Sequence, residues 1–236
     1  MKPPLHLVKL RASPILNQLQ WEEALLRADE NNWCVINRGS PPAIVMGISG
    51  KIEKLINQNE IRKNPIPIIR RFSGGGTVVI DENTLFITLI CRSDALSLPL
   101  FPRQIMQWTA DALYQPLFKE GAFSLKESDY TLNEKKWGGN AQAIIRNRWL
   151  HHSSLLWDYC PKRMNYLLIP PKMPAYRRMR LHCDFLCRLK DFWAHPDHFQ
   201  EQLIQQLHMH FDIIETNTST LTEIATRAHR KETHLC

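Results

Sequence analysis

The sequence predicts an α+β fold in which helices flank a mainly antiparallel or mixed sheet. The short apolar runs typical of strands follow one another with turns between them, and they are segregated from the helical stretches rather than alternating with them. The chain has 236 residues with 44% hydrophobic content, which is enough for a full core. We expect one domain over residues 1–236, with its core between about residues 5 and 215 and no separate C-terminal domain.

The first elements are a strand, a helix and two further strands. Leu5–Leu10 alternates like a strand, and Ser13-Pro14 offers an N-cap followed by proline, which predicts a helix through about Asp29. The apolar runs Trp33–Asn37 and Ala43–Met46 then predict a pair of strands, because a proline-containing turn separates them.

The middle of the chain places a glycine loop between strands. Lys51–Asn59 has a polar helical pattern, and Ile66–Arg70 reads as a strand that leads into Gly74-Gly75-Gly76. The runs Thr77–Ile80 and Thr84–Cys91 predict the strands that follow the loop.

A helix, a meander and further helices complete the chain. Phe101–Phe118 has a helical pattern of apolar residues, whereas Leu181–Trp193 and Asp197–His210 are the main helices predicted after Arg163. The last stretch, Arg227–Cys236, is expected to fray. The meander between them is predicted at Tyr130–Leu132, Lys135–Ile145 and Trp149–Tyr159, with a tight turn at Asn147-Arg148.

Charge and cysteine usage restrict the environment. The formal net charge of +7 favours an acidic partner, an anionic ligand or nucleic acid without choosing among them. The six cysteines are scattered and lie mostly in apolar runs, which indicates reduced thiols. No signal peptide or membrane span is recognisable, so a cytoplasmic protein is expected, or a mitochondrial matrix protein whose targeting segment has been removed.

A cluster of histidines and cysteines raises the question of zinc. Cys183 and Cys187 are spaced i, i+4 on a predicted helix, near His182, His195 and His198. Structural zinc sites usually pair ligands at shorter gaps within turns, so the two cysteines read as one buried stripe. No metal site is expected.

The segment Arg70-Arg71-Phe72-Ser73-Gly74-Gly75-Gly76-Thr77 is the most informative in the sequence. Glycines permit positive φ angles and expose backbone N–H groups, and arginines beside them can neutralise phosphate. A flexible turn is the alternative, but the segment lies between two strand patterns. No Gly-Lys-Ser/Thr follows, which excludes a Walker loop.

This pattern, Arg-Arg-x-Ser-Gly-Gly-Gly-x-Val followed by Asp81, resembles the signature of lipoate-protein ligases, whose catalytic domain is related to that of biotin ligases. The resemblance implies that the loop curls over an acyl-adenylate, with Arg71 and Ser73 near the ligand. Family members usually have a histidine before the aspartate, where this chain has Ile80. The binding residues implied by the motif are Arg71, Ser73, Gly74, Gly75, Gly76, Thr77 and Val78.

A second segment, Lys136-Trp137-Gly138-Gly139-Asn140-Ala141, is similar to the family's Lys-x-Gly/Ser-Gly-x-Ala segment. The resemblance implies that Lys136 is catalytic and contacts the acyl carbonyl and the phosphate, where a fixed ammonium stabilises charge that develops on oxygen. Gly138, Gly139 and Asn140 are expected to line the same site, because glycine in a strand often marks close approach by a ligand.

Three weaker matches complete the predicted site. His151-His152 resembles a family strand that lines the pocket; adjacent strand residues face opposite sides, so at most one faces the ligand, and we assign His152. Asn17, ahead of Trp21-Glu22-Glu23, and Asp129 are similar to other family positions and are also assigned to binding.

The resemblance implies an ATP-dependent ligase that forms lipoyl-AMP from lipoate and ATP, with Mg²⁺ as counter-ion of the phosphates. The acceptor would be a lysine of a lipoyl domain, in the E2 subunit of a 2-oxoacid dehydrogenase or in the glycine cleavage H protein, and the net positive charge suits these acidic partners. Pro174-Ala175-Tyr176-Arg177 looks like the single-domain branch of plants and some bacteria. The chain is then either self-sufficient or completed by a separate accessory protein.

Three other functions fit the sequence less well. An octanoyltransferase that uses an acyl carrier protein needs a cysteine beside the lysine, and the matching stretch from Gly121 to Asp129 has none, which leaves Cys160 and Cys183 as the remaining candidates. A biotin ligase is disfavoured because its loop reads Gly-Arg-Gly-Arg. A nucleic-acid-binding domain is supported by charge alone, without a recognisable binding motif.

Overall fold

The computed structural model describes residues 1–171 and 173–236, in which strands form an eight-stranded and a four-stranded sheet flanked by helices. The strands are β1 (Pro4–Arg11), β2 (Trp33–Arg38), β3 (Ala43–Met46), β4 (Ile68–Arg70), β5 (Val78–Ile80), β6 (Thr84–Arg92), β7 (Phe123–Lys126), β8 (Asp129–Leu132), β9 (Lys135–Ile145), β10 (Arg148–Leu156), β11 (Asp212–Glu215) and β12 (His234–Leu235). The helices are α1 (Ile15–Ala28), α2 (Ile52–Leu55), α3 (Gln58–Lys63), α4 (Pro102–Thr109), α5 (His182–Phe185), α6 (Pro196–His210) and α7 (Thr218–Thr226).

The large sheet has the strand order β11-β1-β2-β6-β10-β9-β8-β7. β1 pairs in parallel with both β2 and β11, because a helix connects β1 to β2 and a long excursion separates β1 from β11. The other neighbours are antiparallel, and short turns join β7 to β8, β8 to β9 and β9 to β10. The α+β prediction with a mainly antiparallel, mixed sheet is therefore confirmed.

The small sheet has the order β12-β4-β3-β5 and shows that the predicted pairing of β2 with β3 is wrong. β2 lies in the large sheet and β3 in the small one. Between them Gly39 adopts a φ of +78°, and Pro41 and Pro42 have no N–H to continue a strand ladder. The chain therefore leaves one sheet and enters the other.

The C-terminal residues are held in place, contrary to the expected fraying. His234 and Leu235 of β12 pair with β4, the strand that leads into the glycine loop. The backbone N–H groups of Glu232 and Thr233 donate to the buried carboxylate of Glu23 on α1. A buried acceptor on the first helix thus fixes the tail.

The start of α1 is capped by a residue that sequence analysis did not identify. Ser13 was the expected cap, but the residue directly before the helix is Pro14, and its side chain makes no capping hydrogen bond. The free N–H of Ile15 donates instead to Oγ of Ser40, 3.0 Å away. The connection between the two sheets therefore also fixes the first helix.

Several predicted helices are shorter than their sequence patterns indicate. The stretch Lys51–Asn59 contains the short helix α2 and only the start of α3, and the Phe101–Phe118 helix continues beyond α4 only as π and 3₁₀ turns. The turn predicted at Asn147-Arg148 lies one residue earlier, since Arg148 already belongs to β10.

The predicted helix Leu181–Trp193 is wrong. Helical structure is confined to α5 and a 3₁₀ turn, because the N–H of Cys187 donates to the carbonyl of Lys136 at 2.9 Å and ties this segment to β9. The expected buried cysteine stripe is also wrong, since Cys183 is exposed.

None of the helices in the described parts of the chain has the length and apolarity needed to cross a membrane.

Candidate active site

A cavity of about 800 Å³ lies between the two sheets and the segment that connects β10 to α6. This connection, described over residues 157–171 and 173–195, is called the irregular segment below. Its polar wall comes from α1, the glycine loop, β9 and β10. Its apolar wall contains side chains from α1, β3, β5 and β6 that belong to one core cluster, namely Ile15, Leu19, Val45, Ile80 and Phe86.

The glycine loop is built around the guanidinium of Arg71. Nη2 of Arg71 donates to the carbonyls of Gly74 at 2.7 Å and Gly76 at 2.9 Å, while Nε donates to Oγ of Ser73 at 3.0 Å. Burial lowers the pKa of Arg71 to about 10, and the negative charge of Glu22 acts in the opposite direction. The guanidinium therefore remains a cation at neutral pH, in the cavity wall.

A second loop, which sequence analysis did not assign to the site, supports the first. A Cβ on Gly47 would lie 2.3 Å from the carbonyl oxygen of Gly75, so the two loops touch backbone to backbone. The N–H of Ile48 donates to the carbonyl of Ser73 at 3.0 Å, and Arg70 donates to the carbonyl of Ile48 at 2.9 Å. The only sequence signal for this contact was the glycine directly after β3.

Lys136 projects into the cavity because β9 has a bulge. Thr131 on β8 pairs with Lys136, whereas the preceding residue pairs with Gly138, which leaves Trp137 as the extra residue of β9. Lys136 and Gly139 consequently face the same side, and a Cβ on Gly139 would lie 3.0 Å from Nζ of Lys136. Glycine at position 139 leaves room for the ammonium.

The ammonium of Lys136 is held by a buried carboxylate. Its Nζ lies 2.7 Å from Oδ1 of Asp129, and the hydroxyl of Tyr176 donates to Oδ2 at 2.8 Å. Burial and the adjacent Asp129 raise the pKa of Tyr176 well above its ordinary value, so this hydroxyl remains a donor. A residue of the irregular segment thus helps to position the lysine.

Two further residues of that segment line the cavity. Arg177 is buried, and its guanidinium stacks on the ring of Phe185 at 4.7 Å. Burial and the nearby charges of Arg177 and Lys136 lower the pKa of His182 to about 4. Arg177 therefore adds a positive charge to this part of the cavity wall, whereas His182 is neutral at neutral pH. In the sequence, Arg177 stands out only through a likeness to one branch of a family, and His182 only as a neighbour of two cysteines.

The two adjacent histidines have different surroundings, as strand alternation requires. His152 lines the cavity. Its Nε2 lies 3.0 Å from Oγ of Ser73, and its Nδ1 lies 2.9 Å from Oε2 of Glu22. His151 points into the core, where its Nε2 lies 3.0 Å from the hydroxyl of Tyr130, and burial lowers its pKa to about 3.

The structure brings most of the sequence-predicted residues together. Those that line the cavity are Arg71, Gly75, Gly76, Thr77, Val78, Asp129, Lys136, Gly139, Asn140 and His152.

Four of the predicted residues lie outside the cavity wall. Asn17 is exposed, because α1 turns Gln18 and Glu22 inward instead. The bulge in β9 turns Gly138 towards Tyr130 and Leu155 in the core, where a Cβ would lie 2.8 Å from Leu155. The other two belong to the glycine loop: Ser73 is buried behind the wall and Gly74 is exposed.

Within residues 1–171 and 173–236, no group of three or more histidine, cysteine, aspartate or glutamate side chains is arranged to hold a metal ion.

Comparison with known proteins identifies a family. A model described as the lipoyl protein ligase A/B catalytic domain matches residues 14–211. Over 221 residues the chain is 31% identical to a protein of Plasmodium falciparum named inactive lipoate–protein ligase 2, covering 77% of this chain and 57% of that protein. The chain thus spans less than three fifths of this relative's length.

Solved structures share the fold. A lipoate-protein ligase A bound with ATP superposes with a TM-score of 0.75 at 19% identity, over 95% of this chain and 93% of the other. A bi-partite lipoate protein ligase from Thermoplasma acidophilum, described with its E2 lipoyl domain, gives a TM-score of 0.75 at 20% identity. The match covers 95% of this chain and 91% of the other. At these identities the likeness establishes the fold.

The geometry of the glycine loop predicts different effects for neighbouring substitutions. Gly75 has a φ of +104°, and a Cβ would lie 2.7 Å from Nη2 of Arg71, so Gly75→Ala should lower the free energy of unfolding by about 1–3 kcal/mol. At Gly74 a Cβ would meet no atom within 4 Å, so Gly74→Ala should change the free energy of unfolding by less than about 0.5 kcal/mol. Urea unfolding measures both. Equal losses would show that Gly75 is not constrained by Arg71.

The burial of His151 predicts a pH dependence of stability. Its folded pKa of about 3 lies below the unfolded value of 6.5, so the unfolded state binds the proton first as pH falls. Stability is full above pH 6.5 and is lost below it, by about 2 kcal/mol between pH 7.5 and pH 5 from this group. His151→Gln should reduce the difference between those two pH values, whereas His208→Gln, at an exposed position, should not. An unchanged difference in His151→Gln would contradict the assignment.

Proposed function

The chain belongs to the lipoyl protein ligase A/B catalytic domain family, and we propose that it is an ATP-dependent lipoate–protein ligase. In the proposed reaction the carboxylate of lipoate attacks the α-phosphorus of ATP, pyrophosphate leaves and lipoyl-AMP forms. The ε-amine of an acceptor lysine then attacks the acyl carbonyl, loses a proton and forms an amide, while AMP leaves.

One observation carries the proposal: a single cavity combines an apolar wall, a buried arginine inside a glycine loop, and a lysine ammonium. An acyl chain requires the apolar surface formed by Leu19, Val45 and Phe86. A phosphate requires cations, which Arg71 and Lys136 supply from two sides of the cavity. A molecule with an acyl chain joined to a phosphate fits this combination.

Lys136 is the proposed catalytic residue. During both steps negative charge develops on oxygens of the acyl-phosphate group, and a fixed ammonium lowers the energy of that charge. The contact with Asp129 and the bulge in β9 hold the ammonium in one position before the ligand arrives, which limits reorganisation during the reaction.

Mg²⁺ enters the proposal as the counter-ion of the ATP phosphates rather than as a resident metal. The carboxylates that line the described cavity are those of Glu22, Glu127 and Asp129, and each already accepts a hydrogen bond. When bound with ATP, the ion would neutralise the departing pyrophosphate.

The proposed acceptor is an acidic lipoyl domain, of a 2-oxoacid dehydrogenase E2 subunit or of the glycine cleavage H protein. Support comes from the net charge of +7 and from two exposed lysines at the cavity, Lys51 and Lys54.

A transfer assay tests the proposed function. The Thermoplasma structure is named bi-partite and the Plasmodium relative inactive, so the assay is run with and without an accessory ligase subunit. Mass measurement of an apo lipoyl domain after incubation with lipoate, ATP and the chain tests the proposal, and an unmodified acceptor in both arms would refute it.

Lys136→Ala should lower the rate of acceptor lipoylation by about 10²–10³-fold, because it removes a fixed charge at the reacting centre. The adjacent Lys135 is exposed and is the matched control, so Lys135→Ala should keep wild-type activity. The fold should be unaffected in both variants, as judged by thermal unfolding. Near-wild-type turnover in Lys136→Ala would exclude a catalytic role.

The double variant Cys160→Ser/Cys183→Ser should retain ATP-dependent lipoylation, because activation as an adenylate needs no enzyme thioester. Among the described residues that line the cavity none is a cysteine. Mass spectrometry should find no acyl group on either cysteine after incubation with octanoyl carrier protein. A stable acyl-enzyme with ATP-independent transfer would establish an octanoyltransferase instead.

A further inference from the structure

A carboxylate on α1, that of Glu22, is fully buried beside the cavity. An ionised carboxylate out of water is costly unless hydrogen bonds satisfy it. Oε1 accepts from Nε2 of Gln18 and Oγ1 of Thr88, each at 2.7 Å, and Oε2 lies 2.9 Å from Nδ1 of His152. The proposed reaction assigns no task to this group.

The direction of these hydrogen bonds is fixed by the backbone. The N–H of Ser13 can only donate and its carbonyl can only accept, so Asn37 presents Oδ1 to the first and Nδ2 to the second. Nδ2 of Asn37 also donates to Oε1 of Gln18 at 2.9 Å, which turns the amide nitrogen of Gln18 towards Glu22. Glu22 therefore acts as an acceptor for its neighbours.

The chain of hydrogen bonds continues from Glu22 towards the glycine loop. Nδ1 of His152 donates to Glu22, and in this tautomer Nε2 is the acceptor for the hydroxyl of Ser73, 3.0 Å away. Oγ of Ser73 in turn accepts from Nε of Arg71 at 3.0 Å. A continuous relay of hydrogen bonds thus joins a buried anion to the buried cation that shapes the loop.

Ser73, His152 and Glu22 have the order of a nucleophile, base and acid in hydrolases, but their surroundings do not fit that role. Ser73 is only 1% exposed and lies behind the cavity wall, and its oxygen already accepts from Arg71. An acyl carbon in the cavity cannot reach this oxygen without opening the loop. The serine is a link in the relay.

We infer that Glu22 is a positioning residue, which acts through His152 and Ser73 to hold Arg71 and the glycine loop in the shape that receives the phosphate. The inference rests on the proposed function for the identity of the phosphate ligand. Glu22 and His152 also line the cavity, so the relay connects the part proposed for the acyl chain with the part proposed for the phosphate.

Glu22→Gln tests the relay, because the added amide hydrogens replace acceptor capacity at a site surrounded by donors. The adjacent Glu23 is the matched control: it is equally buried and on the same helix, but it binds Arg27 and the C-terminal tail. In unliganded protein, Glu22→Gln should raise amide hydrogen exchange of residues 73–77 on the order of tenfold. Glu23→Gln should accelerate exchange only near residues 230–236.

A double-mutant cycle separates positioning from a general structural role. Ser73→Ala cuts the relay at its other end, so Glu22→Gln/Ser73→Ala should loosen the loop and weaken ATP binding no more than either single change. Additive effects, an unchanged loop in Glu22→Gln, or equal loosening in Glu23→Gln would each overturn the inference. If Glu22→Gln does not fold, Glu22→Asp keeps the charge and shortens its reach to His152, with the same expected outcomes.

These measurements distinguish the inference from the proposed function. If the wild-type chain neither binds ATP nor modifies a lipoyl domain, the proposed function fails, whereas exchange of the glycine loop in the unliganded variants still decides whether Glu22 positions it.

Discussion

The rest of the site depends on the hydrogen bonds between the buried guanidinium of Arg71 and the glycine loop. Removing such a cation from water is costly, and the cost is offset by hydrogen bonds to Ser73 and to carbonyls of the loop, with a buried anion nearby. To bring two carbonyls of one short segment onto one nitrogen, the chain must turn sharply, and at Gly75 a side chain would collide with that nitrogen. The triple glycine therefore provides a fixed loop around a charge, and its many hydrogen bonds argue against a flexible turn.

In two pairs of adjacent charged residues near this loop, the two members bind different segments. In the pair Arg70 and Arg71, one arginine binds the neighbouring 47–50 loop and the other binds the glycine loop. In the pair Glu22 and Glu23, one carboxylate faces the cavity while the other binds the backbone of the tail that carries β12. Because β12 pairs with β4, Glu23 fixes the tail at the edge of the small sheet, whereas Glu22 faces the glycine loop. Adjacent charged residues thus serve two different parts of the structure.

Local patterns in the sequence were sufficient for the parts of the fold that depend on local chemistry. The bounds of β3 and β9 agree with their apolar patterns, and the glycine motif lies at the cavity as expected. Tertiary contacts overrode the pattern elsewhere: the segment after Leu181 has a helical periodicity but is tied to β9 by its backbone. Asn17 was assigned by motif position, whereas the inward face of α1 is set by the buried pairing of Glu22. Such pairings join residues distant in sequence, so spacing alone does not reveal them.

Because of the bulge in β9, the position of Lys136 in the site depends on the packing of its neighbour Trp137 in the core. Trp137 is fully buried, with Tyr130 and Tyr114 each 5.6 Å away between ring centroids, so the chain directly after the lysine is anchored in an aromatic cluster. The extra residue changes the alternation, and Lys136 then shares a face with Gly139 instead of Gly138. The carbonyl of the same lysine receives an N–H from the irregular segment, whose Tyr176 also orients the carboxylate that binds the ammonium. The position of the ammonium therefore depends on the aromatic anchor of Trp137 and on two contacts with the irregular segment.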